Sequence, residues 1–203
     1  SYDSGLDTGE ISLSNSAGVF FSASDGEVSS KDGYWIDNNL FAHQPANITN
    51  TSVGFNSGTS LVGSGNTHMG YLAAQNSVSV SNQTAIGREA LATNVSGLFS
   101  TAIGYKALNS STQDFNTAIG YSSLVSLASG SNNTAIGLLS GLNVTVGNNN
   151  IFLGSRSQTR TTGVYSNSIA IGAYAEITDS NQMVVGNQAS GAHIEEVYWG
   201  AGV

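Results

Sequence analysis

The chain has 203 residues and a formal net charge of −8, with five Lys and Arg, thirteen Asp and Glu, no Cys and one Pro. Five cations cannot make a phosphate-tracking stripe or a polybasic lipid-docking patch, so nucleic acid and anionic membrane are excluded as partners, and the lack of Cys removes disulfides, thiolate metal sites and Cys nucleophiles. Charged residues are 9% and hydrophobic residues 39% of the chain, with 25 Gly, a profile that excludes disorder and long helices and leaves short strands joined by tight turns.

Residues 1–49 do not repeat. The stretch "GVFFSASDGEVSSKDGYWIDNNLF" alternates apolar segments with turn signals at Asp25-Gly26 and Asp32-Gly33, which predicts short hairpins. Its aromatic residues, Phe20, Phe21, Tyr34, Trp35 and Phe41, suit a β cap or a joint to another fibre module.

From residue 50 to 187 one phrase recurs: "QTAIGREAL", "STAIGYKAL", "NTAIGYSSL" and the looser "NTAIGLLSG". Its glycine falls at Gly54, Gly70, Gly87, Gly104, Gly120, Gly137, Gly154, Gly172 and Gly186, with spacings of 16, 17, 17, 16, 17, 17, 18 and 14. The residue before each glycine is apolar: Val53, Met69, Ile86, Ile103, Ile119, Ile136, Leu153, Ile171 and Val185. Two before it the side chain is usually small: Ala85, Ala102, Ala118, Ala135 and Ala170. Three before it Thr recurs (Thr67, Thr84, Thr101, Thr117, Thr134), and four before it Asn, Gln or Ser. A fixed period of this length with restricted columns signals a solenoid, in which each coil contacts only its neighbours. The prediction is an all-β parallel β-roll, or β-solenoid, of about nine coils with about 17 residues each, stacked at about 4.8 Å into a rod of about 40 Å. Like residues lie over like residues, and the Asn/Gln column forms an amide ladder.

Alternation along a strand puts Thr and Ile on one face and Ala on the other. After the turn glycine, Ala90-Leu91 and Ala107-Leu108 are read as opening a second short strand, so that each coil holds two strands and two turns. Such a coil is thin and encloses little apolar volume, which predicts an obligate oligomer. Two arrangements fit: Ala columns meet between chains while Ile packs inside, or Ala lines the inside of each roll while Ile faces a shared axis. Residues 188–203, "QASGAHIEEVYWGAGV", read as a C-terminal capping strand, with Trp199 a cap residue.

No catalytic constellation is legible, and the chain is not expected to be an enzyme. His43, His68 and His193 have no paired metal-ligand spacing; His68 stands in the Ala column, where three copies could meet at an axis. The candidate carboxylates Glu89, Asp114, Glu176, Asp179, Glu195 and Glu196 do not recur with the repeat and read as surface charge. No cofactor and no metal are implied. The column after the glycine carries Tyr71, Tyr105 and Tyr121, a possible exposed aromatic stripe for glycans or, more plainly, cover for the turn. A single Thr column that shares its face with Ile does not suit ice binding.

The motifs "NTAIGY" and "NSIAIGAYA" resemble the head repeats of trimeric autotransporter adhesins, although those heads use shorter coils. The closing "NSIAIGAYAEITDSNQMVVGNQ" is similar to the last repeats of phage and virus tail fibres. The resemblance covers roughly residues 50–187 and implies a left-handed roll that trimerises along its length. It also implies a processed fibre fragment on a virion surface or at a cell surface. The expectation is a structural and adhesive segment of a trimeric viral or phage host-attachment fibre, both stiff spacer and multivalent binding surface. Its partners would be its own copies, other fibre modules or virion proteins, and a host-surface glycan or protein. The head of a bacterial trimeric adhesin is the alternative; a polysaccharide-degrading tailspike ranks below both.

Overall fold

In the central coils Thr-Ala-Ile is the only extended stretch between two sharp corners, so the strands are three residues long and their pairing partners lie one period away in sequence. The computed structural model of the protein describes residues 34–36, 39–43, 50–59 and 63–186. The Asp25-Gly26 and Asp32-Gly33 turns, the aromatic pair Phe20 and Phe21, and the 188–203 strand lie outside the described residues. In chain order the strands are β1 (Tyr34–Ile36), β2 (Asn39–His43), β3 (Thr51–Val53), β4 (Thr67–Met69), β5 (Thr84–Ile86), β6 (Thr101–Ile103), β7 (Thr117–Ile119), β8 (Thr134–Ile136), β9 (Val144–Val146), β10 (Ile151–Leu153), β11 (Gln158–Thr159), β12 (Gly163–Val164), β13 (Ile169–Ile171), β14 (Glu176–Ile177) and β15 (Met183–Val185). The main sheet runs β1-β2-β3-β4-β5-β6-β7-β8-β10-β13-β15. From β3 onward it is parallel and in strict register, with Thr101 beside Thr117, Ala102 beside Ala118 and Ile103 beside Ile119. The result is an all-β parallel β-solenoid of about eight turns of about 17 residues. Strand β2 pairs antiparallel with both β1 and β3, placing Ala42 opposite Val53 and His43 opposite Ser52. A hairpin of the same chain therefore occupies the edge of the first rung.

The expected second strand is absent from the central coils. Leu91, Leu108 and Leu124 have φ of 51°, 48° and 48°, in the left-handed region that ends an extended run. A further left-handed residue sits two places after each turn glycine up to Gly172, among them Glu89, Lys106, Ser122 and Leu139, with φ from 50° to 58°. A single such residue costs roughly 1–2 kcal/mol. The stack offsets it: the N–H of Glu89 donates to Tyr71 O at 2.9 Å, that of Lys106 to Arg88 O at 3.0 Å and that of Ser122 to Tyr105 O at 2.7 Å. Short second strands appear only where the interior changes, with β9 pairing β12 and β11 pairing β14.

The structure decides between the two arrangements left open by alternation. Ala85, Ala102, Ala118, Ala135 and Ala170 are completely buried inside the coil, packed with Leu91, Leu108, Leu124 and Leu127. The Ile column is therefore not the core of its own coil; it faces outward beside Thr. Bulk is conserved across the interior. Phe152 enters the small-residue column where Gly141 replaces the usual Leu of the coil beneath, and a Cβ on Gly141 would stand 3.4 Å from the Phe152 ring.

At one corner runs a buried amide ladder. Asn133 N and Nδ2 both donate to Asn116 Oδ1, at 3.0 and 3.1 Å, and its Nδ2 also donates to Gly147 O at 2.8 Å. Its own Oδ1 accepts from Asn150 N and Nδ2 at 3.1 and 3.0 Å. Asn66 repeats the pattern on Asn50, whereas Gln83 keeps only the backbone bond to Asn66 Oδ1 and turns its Nε2 to Gly97 O, leaving its Oε1 without a partner among the described residues. Ser100 and Ser168 continue the column with hydroxyls that accept from Asn116 N and Gln182 N. Asn133→Ala strands these groups in a buried site and is expected to lower stability by about 2–4 kcal/mol. Asn133→Ser, which keeps an acceptor used elsewhere in the column, should lose less; chemical denaturation measures both. The turn glycines are equally constrained. Gly137 has φ +134°, and a Cβ there would stand 2.7 Å from both C and O of Gly154 on the next coil. Gly137→Ala is expected to cost about 2–5 kcal/mol, against a negligible change for Ser96→Ala on the exposed turn, read by the same denaturation experiment.

Candidate functional surfaces

Because the Ala side of each strand is inward, its two neighbours are presented outward. Val53, Ile86, Ile103, Ile119, Leu153, Ile171 and Val185 are half-buried, and Met69 and Ile136 are 46% and 42% exposed. Nine apolar side chains thus form one unbroken file on the outside of the parallel sheet, with the Thr column beside it.

On the other side of the turn glycine stands a second file. Phe55 stacks on Tyr71 with centroids 5.3 Å apart, and Tyr105 on Tyr121 at 5.0 Å. Arg88 fills the gap between the two pairs, its guanidinium 5.3 Å from the Tyr71 centroid and 5.8 Å from that of Tyr105. The Tyr stripe expected from the sequence is therefore the visible part of an aromatic–cation ladder that runs through Arg88. Tyr71 lies between Phe55 and Arg88 and Tyr105 between Arg88 and Tyr121, so among the described residues the faces of these two rings are already engaged. Glu89 ties the corner together: its Oε1 accepts from Arg88 Nε at 2.9 Å and its Oε2 lies 3.3 Å from Lys106 Nζ. Partial desolvation pushes the Glu89 carboxyl up, but the hydrogen bonds and charges of Arg88 and Lys106 outweigh it and hold the group below its ordinary value. Glu89 in turn raises Lys106, with help from Tyr105. The Tyr stripe read from the sequence did not include Arg88; an Arg standing in the same column between Tyr71 and Tyr105 is the signal that could have disclosed this corner.

A third exposed feature is the stacked pair Phe99 and Phe115, with centroids 5.2 Å apart and ring planes almost parallel at 2°. Both are left-handed, at φ 54° and 58°, in a column where Asn82, Asn132, Asn149, Asn167 and Asn181 adopt the same conformation. Asn enters that region readily, whereas for a bulky residue such as Phe it is an uncommon conformation.

The remaining candidates are dispersed. Asp114 Oδ1 accepts from Leu98 N at 2.8 Å, Glu176 pairs with Arg160 at 3.3 Å, and Asp179 Oδ1 accepts from Ser180 N at 2.7 Å. Among the described residues no three His, Cys, Asp or Glu are grouped. Glu195, Glu196 and His193 lie outside the described residues, and His43 is described only as backbone on β2. His68 is corrected: it is fully buried inside its own coil, facing Ser52 below and Ala85 above, so copies of it cannot meet on an axis between chains. Among the described residues neither ring nitrogen has a partner, and the buried hydroxyls of Ser52, Ser57 and Ser77 in the same two coils also lack one. Comparison with protein-family models, with curated proteins and with solved structures finds no match.

Burial lowers the His68 pKa from 6.5 to about 4. In the window between those values the unfolded chain takes up a proton that the folded chain refuses. The stability owed to the neutral ring is complete above pH 6.5 and falls by about 1.4 kcal/mol per pH unit toward pH 4. Denaturation midpoints from pH 7.5 to 4 should show this slope, and His68→Ala should remove it; a variant with an unchanged slope contradicts the assignment.

Proposed function

We propose that the chain is a structural and adhesive segment of a homotrimeric host-attachment fibre of a virus or phage, exposed on the virion surface. The observation that carries this reading is the outward apolar file from Val53 to Val185. Parallel sheets are ordinarily covered on both faces, and this one has a core on one face only. Three copies, each turning its file toward a common axis, would bury it and give the thin coils a second core. Regular stacking supplies stiffness, and three copies of any weak surface site raise avidity through effective concentration. The phrases "NTAIGY" and "NSIAIGAYA", which resemble fibre and adhesin repeats, support the same reading.

The head of a bacterial trimeric adhesin is the second reading, favoured by the short last turn from Gly172 to Gly186, closer to the coil length of such heads. A coiled-coil stalk and β-barrel anchor encoded downstream would select it over the viral fibre. A polysaccharide-degrading spike draws no support from the described carboxylates Glu89, Asp114, Glu176 and Asp179, each held by a local partner.

Sedimentation equilibrium tests the assembly. The chain is expected to be a trimer at micromolar concentration, and Ile103→Glu with Ile119→Glu, which places six carboxylates at the axis, to be a monomer with an unchanged far-ultraviolet spectrum. A monomeric parent chain refutes the reading.

A further inference from the structure

Arg88 is gripped on three sides. Its guanidinium lies between the Tyr71 and Tyr105 rings, 5.3 and 5.8 Å from their centroids, and Glu89 takes the Nε edge. Its two terminal nitrogens have no partner among the described residues, and its side chain is 60% exposed. Lys106, one rung on, adds a second cation held over the Tyr105 ring at 5.4 Å and against Glu89. Two of the four described Lys and Arg (Arg88, Lys106, Arg156 and Arg160) thus stand on adjacent rungs at one corner of a chain of net charge −8. A guanidinium fixed in this way has lost most of its rotamer freedom before any ligand arrives. Its open edge is the fork that matches a carboxylate with two parallel N–H···O bonds.

We propose that this corner, formed by Arg88, Lys106, Tyr71 and Tyr105, is a recognition site for a carboxylate-bearing sugar of an acidic host-surface glycan. Arg88 takes the carboxylate through its terminal nitrogens, and Lys106 adds attraction from the next rung. Tyr71, Tyr105 and Tyr121 bring phenol groups along the same corner. Neighbouring rungs lie about 4.8 Å apart, close to the length of one pyranose in an extended chain, so successive sugars can meet successive rungs. Since the faces of Tyr71 and Tyr105 are already engaged, recognition at Arg88 is by hydroxyl and edge contacts around an ion pair. The proposal rests on the attachment-fibre reading and names the ligand class for it.

The test is titration of the full chain, by calorimetry and by NMR of the Arg Nε–H signals, with sialyllactose and a glucuronate-containing hyaluronan tetrasaccharide. Lactose and a tetraglutamate peptide serve as comparison ligands. At least one acidic sugar is expected to bind in the millimolar range or tighter and to move the Arg88 signal, with lactose and tetraglutamate at least about tenfold weaker. Arg88→Gln should abolish binding, Arg88→Lys should weaken it about tenfold because the fork is lost, Lys106→Gln should weaken it less, and Arg156→Gln should leave it unchanged. Melting curves of each variant show whether its coils remain folded, and Lys106→Gln retains the Arg88 sandwich should the Arg88 variants loosen it. Equal binding by Arg88→Gln, equal binding of lactose or tetraglutamate, or no binding of either acidic sugar overturns the proposal. A trimeric chain that binds neither loses this site and keeps the fibre reading; a monomeric chain that binds through Arg88 keeps the site and loses that reading.

Discussion

Contact between each residue and its counterpart one coil away governs this molecule. Backbone hydrogen bonds run from coil to coil along the turns as well as the strands: Leu91 N donates to Ala107 O at 3.1 Å, Leu108 N to Ser123 O at 3.0 Å and Leu124 N to Ser140 O at 2.9 Å. With rungs about 4.8 Å apart, every column is a pile of touching side chains, and its composition is set by what tolerates its own copy above and below. Gly over Gly is required where carbonyls almost meet a neighbour's Cα. Asn over Asn satisfies itself from Asn116 to Asn150. Tyr over Tyr, with Arg as a spacer, makes a continuous stack.

The same constraint explains which departures are accepted. A wrong-sized residue in one column must be answered inside the same or the next coil, as Phe152 is by Gly141 and as His68 is by Ala74 where other coils place Leu. Polar intrusions obey a stricter rule. Ser123, Ser140 and Ser157, buried beside the core, each donate to the turn-glycine carbonyl three residues earlier, at 3.3, 3.1 and 2.9 Å. Ser52, Ser57, His68 and Ser77 have no such outlet among the described residues. Between Asp37 and Arg88 the sequence holds no Asp, Glu, Lys or Arg, so the first two coils contain the least satisfied interior of the described solenoid and no carboxylate to steady the imidazole. The lowered pKa of His68 makes this stretch sensitive to acid.

Columns were legible because they repeat; corners were not. The period, the Thr-Ala-Ile strand, the parallel register and the amide ladder all follow from restricted positions at fixed spacing. The second strand was misread because left-handed residues normally declare themselves as Gly or Asn, whereas here the corners carry Leu, Glu, Lys, Ser and Arg. Local propensity is overruled by hydrogen bonds to the adjoining coil, a tertiary effect that no single period reveals. The inward or outward sense of the strand was equally hidden, since alternation separates two faces without saying which one the chain closes around. Among the candidate functional residues, the Tyr column was visible and its meaning was not: Arg88 belongs to the stack through the faces of its neighbours, a relation that exists only once the coils are superposed.

The outward apolar file and the aromatic–cation ladder flank the same turn glycine, one residue to either side. Their chemistry differs in the way their proposed tasks differ. The residue before the glycine is aliphatic and charge-free in all nine copies, a uniformity suited to a partner presenting the same periodic surface, because any exception would leave one rung unmatched. The residue after it is Phe55, Tyr71, Arg88, Tyr105, Tyr121, Leu138, Ser155 and Ala173 in turn, aromatic and charged through five coils and small at the far end. A column that faced another copy along its whole length would gain nothing from such a gradient. One that meets a ligand at a single height needs it, and the scaffold can vary that height freely as long as each side chain still stacks on the one below.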